Sequence, residues 1–197
     1  MYVRRRGSFR FSRVEIKELA IAALAITLIF VWPIQPTTDW FIVFGFYLVF
    51  VGLGFTLHEV AHKLMAQSLG AWSEFRMWSQ GLLFALFMRV IGGPIFIAPG
   101  ATLWSKRLAT IDDHGKVALA GPITNILLAL IFVGLAFMMP VMVIGAYVNL
   151  QLAFFNLLPF GPLDGASIFR WKWWVWASSI VTVMLLQQVL RQMALLA

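Results

Sequence analysis

Two of the chain's three histidines stand four residues apart with a glutamate beside the first: His58-Glu59-Val60-Ala61-His62. On a helix, positions i and i+4 share a face, so both imidazoles can be aimed at one ion. Glu59 is then placed to take a proton from a water on that ion, which is the spacing of a zinc metalloprotease. The plain alternative is a pair of packed histidines lining a helix bundle. An apolar setting disfavours it, because an ionisable side chain within a membrane is costly and marks function by default.

Two imidazoles leave a catalytic zinc one protein ligand short, and the usual third is His, Glu or Asp. The chain has no cysteine, so a thiolate is excluded both as ligand and as nucleophile. Of the eight acidic residues, Glu15, Glu18, Asp39, Glu74, Asp112 and Asp113 fall in arms or loops. Only Glu59 and Asp164 are embedded in, or abut, apolar segments. Asp164 is therefore the expected third ligand, although Pro162-Leu163-Asp164-Gly165 also reads as an ordinary turn. His114 lies in the hydrophilic run Asp112-Asp113-His114, where a helix cap is the simpler account.

The elements that must hold these residues follow from composition. A chain of 197 residues that is 61% hydrophobic and 12% charged has more apolar surface than one soluble core of that size can bury. It has length for about four to six membrane-spanning helices of roughly 20 residues each. The predicted architecture is an all-α transmembrane bundle of about five to six spans, with five placed near residues 18–35, 40–69, 116–139, 141–158 and 173–191. Residues 1–17 form a basic arm holding six of the fifteen Lys and Arg, and residues 18–197 form a single membrane domain. The stretch from Gly81 to Gly100 is apolar but broken by Gly92, Gly93, Pro94 and Pro99. It is expected to be a short re-entrant loop or β-hairpin beside the site, since irregular backbone at membrane depth must be buried in protein or line a wet cavity.

The net charge of +7 sits in the amino-terminal arm, in residues 71–116 and around Arg170 to Lys172. It reports orientation rather than nucleic-acid binding, and places those segments in the cytosol. The fourth span then returns to the cytosolic side and carries Asp164 to the level of His58 and His62.

These residues resemble the site-2 protease family of intramembrane metalloproteases, whose signatures are HExxH in one span and NxxPxxxLDG at the end of a later one. The second is present as Asn156-Leu157-Leu158-Pro159-Phe160-Gly161-Pro162-Leu163-Asp164-Gly165. Ala120-Gly121-Pro122-Ile123-Thr124-Asn125 is similar to the AGPxxN segment of the intervening span, so the likeness covers roughly residues 41–166. The resemblance implies one zinc ion held by His58, His62 and Asp164, with Glu59 as general base and acid. It also implies that Asn156 binds substrate or stabilises the oxyanion, and it makes Asn125 a candidate neighbour of the ligands. The implied substrate is a transmembrane protein or peptide cut within the bilayer, and the chain is expected to carry neither the PDZ nor the nucleotide-sensing domain of many members. Two rival functions are a metal transporter and a silent protease-like membrane protein. The outer halves of the spans lack the His, Asp and Glu that an ion path needs, and no member of the HExxH and Asp164 set is missing.

Overall fold

The computed structural model describes residues 10–34, 37–92 and 99–196, so the first nine residues of the expected basic arm lie outside the described range. Helix α1 (Arg13–Val31) starts at Ser12, whose hydroxyl accepts from the Glu15 amide at 3.1 Å while the Glu15 carboxylate accepts from the Ser12 amide at 3.3 Å. Such a reciprocal cap satisfies amides that a helix start leaves without partners. Next, α2 (Thr38–Tyr47), a π-helical turn (Leu48–Leu53) and α3 (Gly54–Ser68) run on as one 31-residue apolar helix. Gly70, at φ +77°, stops it, and the amides of Gly70 and Ala71 bond back to the carbonyls of Gln67 and Ala66.

Strand β1 (Trp72–Met77), helix α4 (Ser79–Val90) and strand β2 (Gly100–Ser105) follow, and the strands pair antiparallel with Phe75 opposite Thr102. The remaining helices are α5 (Ile111–Ala136), α6 (Met142–Asn156), α7 (Asp164–Trp171) and α8 (Trp173–Leu196). Helix α5 is the hub and packs on α3, α6 and α7. The main core gathers Phe50, Val51 and Phe55 from the long helix with Ala129, Phe132, Ala146, Leu150 and Ala153 from α5 and α6.

Among the described residues, three helices are long and apolar enough to cross a membrane: Thr38–Ser68, Ile111–Ala136 and Trp173–Gln192. The other two expected spans fall short of that measure for different reasons. Helix α1 opens with Arg13, Glu15, Lys17 and Glu18, and α6 has 15 residues, roughly 22 Å at about 1.5 Å per residue.

The expected hairpin takes another form, because a 12-residue helix separates the two strands. Reading everything from Gly81 onward as irregular overlooked that Leu82 to Val90 contains no breaker. The glycine and proline cluster begins only at Gly92, and residues 93–98 lie outside the described range. Arg89 joins α4 to the end of α1 by donating to the carbonyls of Ile29 (2.9 Å) and Trp32 (2.8 Å), groups that a helix end leaves unpaired.

The sheet is held from behind by carboxylates. Glu15 accepts the Phe75 amide (3.0 Å) and Glu18 the Met77 amide (2.9 Å), so α1 occupies the free edge of β1. Glu15 also receives the ammonium of Lys63 on both oxygens (2.9 and 2.8 Å), and Lys63 donates in addition to the Ser73 carbonyl at 2.9 Å. Both side chains are essentially fully buried. Removing one member of a buried, hydrogen-bonded pair leaves an uncompensated charge. Lys63→Met is therefore expected to destabilise the folded protein by about 3–5 kcal/mol, seen as a lowered thermal unfolding midpoint in detergent. A midpoint equal to that of the parent chain would remove the pair from any role in holding α1, α3 and β1 together.

Candidate metal centre

Helix α3 presents His58 and His62 on the face turned toward α5, their rings 4.6 Å apart between centroids and nearly perpendicular. The two Nε2 atoms are 3.0 Å apart, and each lies 3.2 Å from Asp164 Oδ2. Asp164 is the first residue of α7, reached after a loop that turns at Gly161 (φ +62°) and is fastened by Trp176, whose indole donates to the Leu157 carbonyl at 2.6 Å. Helix α7 is tied to α5 by a second indole, Trp171, which donates to Asp112 at 2.8 Å. A ligand 102 positions after His62 thus arrives at the histidines because α5 packs against both α3 and α7.

Each imidazole is oriented by a hydrogen bond at its other nitrogen. His62 Nδ1 meets the Val117 carbonyl at 2.7 Å and His58 Nδ1 meets Asn125 Oδ1 at 2.6 Å. A carbonyl only accepts, so His62 Nδ1 carries the hydrogen and, in the neutral ring, Nε2 keeps a bare lone pair. Val117, Gly121 and Asn125 are spaced by four along α5, antiparallel to the four-residue step from His58 to His62. The middle position is a glycine for a visible reason: a Cβ there would stand 2.5 Å from His58 Nε2 and against His62 Nε2 as well.

The donor set fits a metal ion on the structure's own terms. Asp164 Oδ2 is buried without a hydrogen-bond partner. Ligand atoms sharing a tetrahedral zinc at about 2.0–2.1 Å stand roughly 3.3 Å from one another, close to the separations seen here. Among the described residues, His58, His62 and Asp164 are the one group of three such side chains that converges in this way.

Glu59 is 7% exposed and is held by strand β2. Its Oε2 accepts the Thr102 amide at 2.9 Å and lies 2.8 Å from the Thr102 hydroxyl, which also reaches the Glu59 carbonyl at 3.0 Å. Asn156, the last residue of α6, donates its side-chain amide back to the Leu152 carbonyl at 2.9 Å. His114 lies apart from the cluster, tilted against Trp104 with ring centroids 4.5 Å apart. Reasoning from sequence missed Val117, Thr102 and the reason for Gly121. Two of these act through backbone atoms or empty space, and Thr102 sits in a strand that carried no motif.

Comparison with known proteins bears on this geometry. The model of peptidase family M50 matches residues 136–197, the part that contains Asp164. A protein of Methanocaldococcus jannaschii whose provisional name is zinc metalloprotease is 41% identical over 176 residues, covering 86% of this chain and 90% of that protein. The chain belongs to peptidase family M50. A Mycobacterium tuberculosis protein with the provisional name zinc metalloprotease Rip3 is 31% identical over 128 residues. That match takes in 59% of the M50 chain but 28% of the longer protein. No solved structure matches.

Two expected outcomes follow for this M50 peptidase. Gly121→Ala puts a methyl group among the ligand atoms and is expected to abolish stoichiometric metal binding, read by elemental analysis, while leaving the helical content unchanged. Thr102→Val keeps the strand and the amide bond to Glu59 but removes the hydroxyl. A hydrogen bond to a charged group contributes about 1.5–3 kcal/mol, so peptidase turnover should fall roughly tenfold or more with metal content unaltered.

Proposed function

We propose that the chain is an intramembrane zinc endopeptidase that cuts transmembrane protein or peptide substrates, with His58, His62 and Asp164 holding one zinc ion. The observation that carries this reading is the convergence of two imidazole nitrogens and an unpartnered carboxylate oxygen within 3.2 Å. Bound in that set, zinc supplies Lewis acidity, acidifying water toward a pKa of about 7 and polarising a peptide carbonyl.

Glu59 supplies the proton transfers. Its carboxylate stands beside the ligands, takes a proton from the attacking water and returns it to the leaving nitrogen. Thr102 holds Oε2, so the Glu59 carboxylate is presented in a fixed direction. Asn156 is assigned to the substrate side, where its amide binds the peptide or the developing oxyanion after exchanging its bond to Leu152.

Burial of the histidines excludes bulk water, and a substrate helix must be locally unwound to expose a peptide bond there. Strand β2 offers a surface for that, because its outer edge runs past Glu59 while α1 occupies the outer edge of β1. For topology, we assign α1, the Thr38–Ser68 helix, α5, α6 and α8 as five spans, with the amino terminus and the metal site toward the cytosol. The Lys and Arg of the arm, of residues 71–116 and of Arg170 to Lys172 support that orientation.

The test is cleavage of a model transmembrane peptide by purified protein in detergent, beside Glu59→Gln, with zinc determined in both. The parent should hold about one zinc and cleave; the variant should keep the zinc and lose roughly 10²–10⁴-fold in rate. Absence of zinc from both, after loading and gel filtration, would sink the reading.

A further inference from the structure

Behind His58 lies a chain of side-chain amides that the reaction itself does not use. Asn125 Nδ2 donates to the Gly54 carbonyl (3.2 Å) and to Asn149 Oδ1 (3.0 Å), and Asn149 Nδ2 donates to the carbonyls of Phe50 (3.1 Å) and Gly145 (2.9 Å). Both asparagines are completely buried. A side-chain amide can ordinarily be turned over without changing its shape. Here it cannot, because the series ends on backbone carbonyls, which only accept.

The direction of every bond follows from that ending. The Asn149 edge facing Phe50 and Gly145 must be NH₂, so its oxygen faces Asn125. The Asn125 edge facing Asn149 and Gly54 must in turn be NH₂, so its oxygen faces His58. His58 Nδ1 must then carry the hydrogen, and in the neutral ring Nε2 is left bare toward Asp164 and His62.

The helix that carries the ligands is shaped to admit this relay. Phe50 lies in the π-helical turn, whose wider winding opens carbonyls to sideways approach. Gly54 gives way as well, since a Cβ at that position would stand 2.6 Å from Asn149 Oδ1.

We propose that Asn149 is a positioning residue of the metal site, fixing the His58 tautomer through Asn125. The proposal rests on the metal-site reading above, yet its first readout needs no metal. The chain has three histidines, so ring-¹⁵N-histidine labelling of the metal-free full-length protein in detergent gives three resolvable rings, assigned by His114→Gln and His62→Gln. In the parent, His58 is expected to be hydrogenated at Nδ1.

In Asn149→Leu, Asn125 is held only by its longer bond to the Gly54 carbonyl (3.2 Å), and the Nε2–H tautomer of His58 should rise in population. His62, governed by the Val117 carbonyl, should stay unchanged and thereby report an intact fold. Zinc affinity, from competition with a chromophoric chelator, should fall roughly 10–100-fold. Asn149→Leu should also add little once Asn125→Leu is present, because both cut one relay; a purely packing role would add in full. An unchanged His58 tautomer in Asn149→Leu, or His58 and His62 changing together, overturns the proposal. Parent protein that binds no zinc while His58 still responds selectively would fail the metal reading and leave the relay standing.

Discussion

Two imidazole nitrogens and a carboxylate oxygen are pressed to within 3.2 Å of one another, an arrangement that a shared cation would stabilise. Nearly every nearby feature serves to maintain that arrangement. Val117 and Asn125 keep the ring hydrogens on the far side, Gly121 leaves the space vacant of side chain, and two indoles lock the segments that bring Asp164 in. The arrangement is bought with rigidity: α5 touches each ligand-bearing element and so sets their separations together.

The proton-handling side depends on a different construction. Phe75 and Thr102 face each other across the sheet, and both amides point outward, one to Glu15 and one to Glu59. The buried Glu15–Lys63 pair therefore supports, through one cross-strand step, the strand that holds Glu59. Lys63 is the next residue after His62, so a single helix carries two of the three proposed metal ligands, the proposed proton carrier and the anchor of the strand beside them.

Much of the site was legible because its chemistry is local or scarce. HExxH needs only the helical repeat, and Asp164 emerged because so few acids adjoin apolar segments. Asn125 entered through resemblance alone, and spacing did not anticipate its bond to His58. Val117 and Gly121 were illegible in principle: one contributes a carbonyl that any residue has, and the other contributes the absence of a side chain. Thr102 depends on a strand pairing across an intervening helix, a non-local contact that periodicity does not encode. Helix α4 was hidden by the proline and glycine cluster that follows it, and α1 shows how charges used against β1 make a helix look less like a span.

The π-helical turn at Leu48–Leu53 has a further effect on the long helix. An extra residue in a turn advances every later side chain by about 100° around the axis, since an α-helix has roughly 3.6 residues per turn. The two ends of Thr38–Ser68 therefore do not share a common stripe. The long helix behaves as two helices of different phase spliced end to end, so the half that begins at Thr38 can be oriented independently of the half that carries His58 and His62.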